Sequence, residues 1–205
     1  MTHVKVCGVT SVADALGCVE RGVSAIGLNF VPASPRLVSV VEARAIADAV
    51  GAWALIVGVV ADLPVAEMLR LRDEAHLGCL QLHGDEPPEA LEPLLPHAYK
   101  AIRVADARDV ARADLYPGEH VLVDAKVAGA LGGTGVRVDP ELVRDLARRR
   151  RLTLAGGLRP ENVAEAIAAV RPYAVDVASG VEVPGDPRRK DLEAVAALVR
   201  AVQAF

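Results

Sequence analysis

Residues 152–181 read LTLAGGLRPENVAEAIAAVRPYAVDVASGV, and the fold follows from how this stretch is read. It opens on a short apolar run that stops at Gly156-Gly157. A segment follows in which Val163, Ala166, Ile167 and Val170 recur at i, i+3, i+4 and i+7. The chain then returns to an apolar run at 174–177, ahead of Ser179-Gly180. A short strand-like run, one buried helical stripe and a second short run make a βαβ unit, whose two strands lie parallel. Arg159-Pro160 places a proline where the first turn of that helix tolerates it.

Worked outward, the same alternation fills the chain. Apolar runs stand at 4–7, 25–30, 55–60, 79–83, 99–104, 121–124, 152–155 and 174–177, with their ends 20 to 31 residues apart. A βα unit with short loops needs about this much chain. The runs read as apolar on both faces, as parallel strands covered on both sides should. Between them lie helix signals: a capping-box pattern at Ser39–Glu42, a similar one from Ser11 to Asp14, and proline after Asp139. A last stripe comprises Leu192, Val195, Ala196 and Val199. The segment 106–114 predicts the shortest helix. Arg148–Arg151 reads as a solvated helix end, favourably placed for the helix dipole. Eight such units predict an α/β (β/α)8 (TIM) barrel of eight parallel strands, one domain over residues 1–205. A doubly wound open sheet is the competitor, but the first turn, Cys7-Gly8-Val9-Thr10, lacks its glycine fingerprint. The length of 205 is near the lower limit for such a barrel, so no chain is expected to remain for a lid or cofactor domain.

Composition narrows the function. With 52% hydrophobic residues the chain is not disordered. A net charge of −4 and 3% aromatics argue against a nucleic-acid partner, which would need a basic stripe and stacking surfaces. The longest apolar run, 52–61, is far short of the roughly 20 residues needed to span a bilayer, and the N-terminus lacks a signal peptide's apolar stretch, so no membrane association is expected. Cys7, Cys18 and Cys79 are odd in number and widely spaced, which suggests reduced thiols and a cytoplasmic setting.

In a (β/α)8 barrel the site lies at the C-terminal ends of the strands. Those ends offer Lys5 and Cys7, Asn29, Asp62, Gln81 and His83, Arg103, Asp124, Gly156-Gly157, and Asp176 with Ser179-Gly180. The glycine loops after the seventh and eighth runs lie where barrels bind phosphate; glycines let backbone N–H groups approach an anion, and a short helix opening at Ser179 or Gly180 would aim its positive end there. A phosphorylated small molecule is therefore the expected ligand. Cys7 reads either as a small buried hydrophobe or as a reactive thiol, with Lys5 on the same strand face to favour the thiolate. Cys18 and Cys79 read as core. Asp124 either caps backbone amides of the loop 125–135 or serves as an acid at the mouth, and the first and sixth strands are three steps apart around the ring. Two proton-transfer groups flanking one ligand suit an isomerisation. Gly132-Gly133-Thr134-Gly135 reads as a loop able to fold over that ligand, or as plain loop. Arg36 reads as a carboxylate-binding guanidinium or a solvated loop arginine. His83 reads as a satisfied histidine or a hydrogen-bond partner within the site. No metal-ligand spacing is present.

Several segments together resemble the phosphoribosylanthranilate isomerases, barrel enzymes of tryptophan synthesis. They are VKVCGVT (4–10), GLNFVPASPR (27–36), VGVVAD (57–62), QLHGDE (81–86), LVD (122–124) with GGTG (132–135), LAGGLRPENV (154–163) and VDVASGVE (175–182), followed by PG and Lys190-Asp191. They come in the family's order and span nearly the whole chain. The resemblance implies an Amadori rearrangement without metal or organic cofactor. It implies Cys7 as general base, Asp124 as general acid, Arg36 on the substrate carboxylate, and phosphate on Gly156, Gly157, Ser179 and Gly180. Lys5, His83 and Asp176 are expected among the substrate-binding residues. Asn29 and Asp62 vary among relatives, Asp62 standing where many have asparagine. The rivals are a histidine-pathway isomerase, which uses two aspartates and is disfavoured by Cys7, and a non-catalytic barrel that senses a phosphorylated metabolite. A monomer or a homodimer is expected.

Overall fold

The computed structural model describes residues 2–125 and 140–205. Eight strands alternate with eight helices: β1 (His3–Cys7), α1 (Val12–Glu20), β2 (Ala25–Asn29), α2 (Val40–Val50), β3 (Leu55–Val60), α3 (Val65–Glu74), β4 (Cys79–Leu82), α4 (Pro88–Leu91), β5 (Ala98–Val104), α5 (Ala107–Arg112), β6 (His120–Ala125), α6 (Pro140–Arg149), β7 (Arg151–Ala155), α7 (Val163–Val170), β8 (Ala174–Val177) and α8 (Leu192–Gln203). Between β8 and α8 a small hairpin is inserted, β9 (Glu182–Val183) and β10 (Asp186–Lys190). Strands β1 to β8 pair in parallel in chain order, and β8 pairs with β1 to close the barrel. No helix among the described residues is long and apolar enough to cross a membrane.

Local chemistry explains the helix starts. Ser11 accepts the Asp14 N–H, and Ser39 forms the full capping box with Glu42. Asp106 does the same with Asp109 in α5, a box built from aspartates at both positions. Pro140 opens α6, as proline at a first helical position should. Pro160 does not open α7, which begins only at Val163. Buried Asn162 is the reason. Its Oδ1 accepts the Arg159 N–H at 2.8 Å and its Nδ2 donates to the Gly157 carbonyl at 3.1 Å, tying 157–162 into a turn. In α8 the buried stripe is Val195, Leu198, Val199 and Val202, with Leu192 and Ala196 only partly covered. The Arg148–Arg151 run is more than a solvated helix end. Arg149 pairs with Asp114 at 2.7 Å, and Arg150 donates to the Ala113 and Tyr116 carbonyls. The Gly132–Gly135 segment lies outside the described residues.

Alternation along each strand sends one set of side chains under the helices and the other into the barrel. The outer set joins the helix stripes in the main core. Inside the barrel Val57, Cys79, Tyr99, Ala101, Leu122 and Ala155 form a second, smaller apolar cluster. The expectation of strands apolar on both faces needs correcting here. Lys5, Gln81, Thr153 and Asp176 are buried on strands, and so is Lys100. A barrel interior that ends in a binding site tolerates polar side chains as long as they satisfy one another.

Candidate active site

The strand ends open into a cavity of about 500 Å³. Its lining includes Cys7 from β1, Asn29 from β2, Arg36 from the following loop, and Gln81 and His83 from β4 and its end. Arg103, Asp124, Gly156, Gly157, Asp176 and Ser179 complete the ring. Cys7 and Asp124 therefore share one cavity, flanking the loops after β7 and β8. Of the expected site residues, Lys5 and Gly180 stand apart from the lining. Lys5 is buried beneath it, and Gly180 packs its backbone on the carbonyl of Leu158, where a Cβ would collide. Gly180 thus lets the two glycine loops close on each other. Gly156 and Gly157 hold φ of 109° and 67°, a left-handed turn that glycine adopts freely.

Under the mouth runs a buried polar chain. Lys5 Nζ donates to Asp176 Oδ2 at 2.8 Å and to Gln81 Oε1 at 3.0 Å. The Tyr99 hydroxyl donates to the same Gln81 oxygen at 3.0 Å. An ammonium is only a donor, so Lys5 settles the orientation of the Gln81 amide. Its Nε2 must then be the atom 2.8 Å from His83 Nδ1, which makes Nδ1 an acceptor and leaves the imidazole proton on Nε2. Burial pushes the His83 pKa down, reinforcing the neutral ring. Asp176 Oδ1, also buried, has no hydrogen-bond partner among the described residues and belongs to a side chain that lines the cavity.

The thiol departs from expectation. Burial pushes the Cys7 pKa up; Lys5 and Lys190 pull it down, and Asp176 adds to the rise. Lys5 does favour the thiolate, as its place on the strand suggests, but desolvation outweighs it. For Lys5 itself burial opposes the charge, and the Asp176 carboxylate hydrogen-bonded to it more than compensates, so the lysine stays ionised. Cys7 is seated against β2, where a Cβ on Gly27 would sit 2.8 Å from its sulfur.

His83 is anchored from outside the barrel. Lys100 Nζ donates to the carbonyls of Leu82 and Gly84, at 3.2 and 2.7 Å, and lies 3.2 Å from Glu86. Glu86 in turn accepts the backbone N–H of Asp62 at 2.8 Å. Asp62 faces this clamp rather than the main mouth. Its φ of 55° is a left-handed conformation that Asp and Asn adopt more readily than most residues.

Arg36 is not a solvated loop arginine. Its Nε and Nη2 grip Glu182 at 2.6 and 2.9 Å. The sequence-based candidates missed Glu182, Lys190, Gly27 and Lys100, although all but Lys100 stand inside motifs that carried the family resemblance.

A closed parallel barrel whose C-terminal mouth gathers a thiol, a carboxyl group, a guanidinium and two glycine loops defines a (β/α)8-barrel enzyme. The family model for N-(5'phosphoribosyl)anthranilate (PRA) isomerase matches residues 4–201. The chain is 45% identical over 208 residues to N-(5'-phosphoribosyl)anthranilate isomerase of Myxococcus xanthus, covering 99% of this chain and 97% of that one. The crystal structure of phosphoribosyl anthranilate isomerase from Thermotoga maritima superposes with a TM-score of 0.88 at 36% identity, covering 100% of both chains. A structure of phosphoribosyl anthranilate isomerase in complex with reduced 1-(o-carboxyphenylamino)-1-deoxyribulose 5-phosphate gives 0.86 at 34% identity, again covering 100% of both. The chain belongs to the N-(5'-phosphoribosyl)anthranilate isomerase family.

Proposed function

We propose that this barrel, acting as one domain over residues 1–205, converts N-(5-phosphoribosyl)anthranilate into 1-(2-carboxyphenylamino)-1-deoxyribulose 5-phosphate. This is the third step of tryptophan synthesis from chorismate. Asp124 as general acid donates a proton to the ribose ring oxygen; the C1′–O bond breaks and a protonated Schiff base forms. Cys7, as thiolate, takes the C2′ proton, and the electron pair moves into C1′=C2′ to neutralise the iminium. The resulting enolamine then tautomerises to the ketone. No electrons leave the substrate, so no hydride carrier enters the scheme. The high pKa of free Cys7 is compatible with this order, because the iminium cation formed first lowers the cost of the thiolate beside it.

The remaining lining fits the rest of the substrate. The phosphate rests on Gly156, Gly157 and Ser179, with Gly180 closing the loop pair. Arg36 receives the anthranilate carboxylate. Asp176 Oδ1 accepts a ribose hydroxyl, and His83 offers its Nε2–H. Lys5 acts from below, holding Asp176 and biasing Cys7, instead of touching the ligand. A cytoplasmic monomer or homodimer completes the reading; the three cysteines are free thiols. The observation that carries the proposal is the meeting of Cys7, Asp124, Arg36 and both glycine loops in one cavity. The test is to mix purified protein with N-(5-phosphoribosyl)anthranilate, follow loss of anthranilate-type fluorescence, separate the product from its isomeric substrate by chromatography, and confirm its ketone by borohydride reduction. Conversion at catalytic protein concentration is expected. Unchanged substrate, corrected for spontaneous hydrolysis, overturns the proposal.

A further inference from the structure

The rim of the mouth carries a charged cluster of which the scheme above uses Arg36 alone. Glu182 begins β9, immediately after the loop that follows β8. Its side chain is only 9% exposed, yet it meets two cations. Arg36 spans both of its oxygens, Nε to Oε1 and Nη2 to Oε2, and Lys190 Nζ lies 2.9 Å from Oε1 with its side chain fully buried. Arg36 and Lys190 thus share one carboxylate.

The placement of Arg36 is over-determined. Its stem lies across Gly8, at the spot a Cβ on that residue would fill, and Gly8 holds φ of 72°. The Arg36 N–H donates to Ser34 Oγ at 3.1 Å. The hairpin that supplies Glu182 is itself stitched to the first and second βα units. The Lys190 N–H donates to Asp14 Oδ2 at 3.0 Å, Thr10 donates to the Arg188 carbonyl, and Arg188 donates to the Leu37 carbonyl at 2.8 Å. Glu182 is therefore a fixed point against which the guanidinium is aimed.

A guanidinium offers five N–H groups in a rigid plane. Glu182 takes the side edge, Nε with one hydrogen of Nη2. The end edge remains, with one hydrogen on each of Nη1 and Nη2, and that fork matches a second carboxylate in bidentate fashion. Arg36 lines the cavity, so the free fork belongs to the mouth.

We infer that Glu182 is a positioning residue that aims the free fork of Arg36 at a carboxylate on the substrate, and so makes the enzyme selective for carboxylate-bearing aryl amines. This rests on the reading of Arg36 given under Proposed function. Steady-state kinetics on two substrates test it: N-(5-phosphoribosyl)anthranilate and its carboxylate-free counterpart, N-(5-phosphoribosyl)aniline. Glu182→Gln removes one of the two acceptors facing Arg36. It should raise KM for the anthranilate substrate about tenfold, the scale of one charge-assisted hydrogen bond, with kcat changed much less. KM for the aniline substrate should not follow it. In the Arg36→Ala background Glu182→Gln should add nothing. If the buried Lys190 prevents Glu182→Gln from folding, the pair Glu182→Gln with Lys190→Met is used and the same readouts apply. Equal KM increases on both substrates, or additive effects with Arg36→Ala, overturn the inference. If Arg36→Ala discriminates between the substrates and Glu182→Gln does not, only the positioning role falls. If Arg36→Ala does not discriminate, the carboxylate role of Arg36 falls with it.

Discussion

His120, at the start of β6, titrates in a way that stability measurements can read. Its ring stacks on Tyr99 with centroids 4.2 Å apart, and Nε2 lies 2.7 Å from Thr153 Oγ1. Burial, with Lys5, Arg151 and Arg150 adding repulsion, lowers its pKa from 6.5 to about 4. The folded state therefore resists protonation that the unfolded chain accepts. Between pH 6.5 and 4 the unfolded state binds more protons, so stability falls as pH falls through that window. At pH 5 the loss relative to pH 7 is about 2 kcal/mol, and it approaches about 3 kcal/mol below pH 4. Carboxylates titrate in the same range, so the parent is compared with His120→Gln, which keeps a polar group near Thr153 but cannot titrate. Urea unfolding at pH 7, 6, 5 and 4 should show the parent losing about 2 kcal/mol more than the variant by pH 5. Parallel stability–pH curves, or a ring pKa near 6.5 by NMR, would refute this account of His120.

Three further outcomes follow from the site. Gly27→Ala would place a Cβ 2.8 Å from the Cys7 sulfur and 3.0 Å from its Cα. Turnover should drop about 10–100-fold while circular dichroism is unchanged, as expected for a misplaced reacting group; parent-like turnover would mean that the seat of Cys7 does not matter. Gly180→Ala would drive a Cβ into the Leu158 carbonyl and part the two glycine loops. Inhibition by inorganic phosphate should weaken, and an unchanged inhibition constant would separate Gly180 from the phosphate site. Because burial raises Cys7, kcat/KM should climb with pH along a limb whose midpoint lies above the ordinary thiol range, since that ratio reports the free enzyme. A flat profile from pH 7 to 9 would contradict it.

The barrel is legible because short apolar runs recur at the spacing of βα units and helices such as α7 and α8 between or after them show a single buried stripe. Val163, Ala166, Ile167 and Val170 are all buried, as their spacing requires. Pro160 stands in a turn closed by the Asn162 and Val163 N–H groups on the Arg159 carbonyl, and the regular part of α7 begins at Val163, after Asn162 bonds back to Gly157 and Arg159. At the site, strand-end residues such as Cys7, Asp124 and Asp176 could be placed from the barrel rule alone. Partners could not. Arg36 and Glu182 are 146 residues apart, and nothing local in either segment announces a two-pronged ion pair between them. The net rise in the Cys7 pKa was equally hidden, because Lys5 is visible in the sequence two positions away while the depth of burial is not.

The central claim is that Cys7 and Asp124 act as base and acid across one cavity. Its most direct test is the turnover of N-(5-phosphoribosyl)anthranilate by purified Cys7→Ala and Asp124→Asn, each checked for an unchanged circular dichroism spectrum. Loss of at least roughly 100-fold in kcat in each variant is the predicted result, the scale of one positioned proton-transfer group. A folded variant of either kind that turns over near the parent rate would contradict the account.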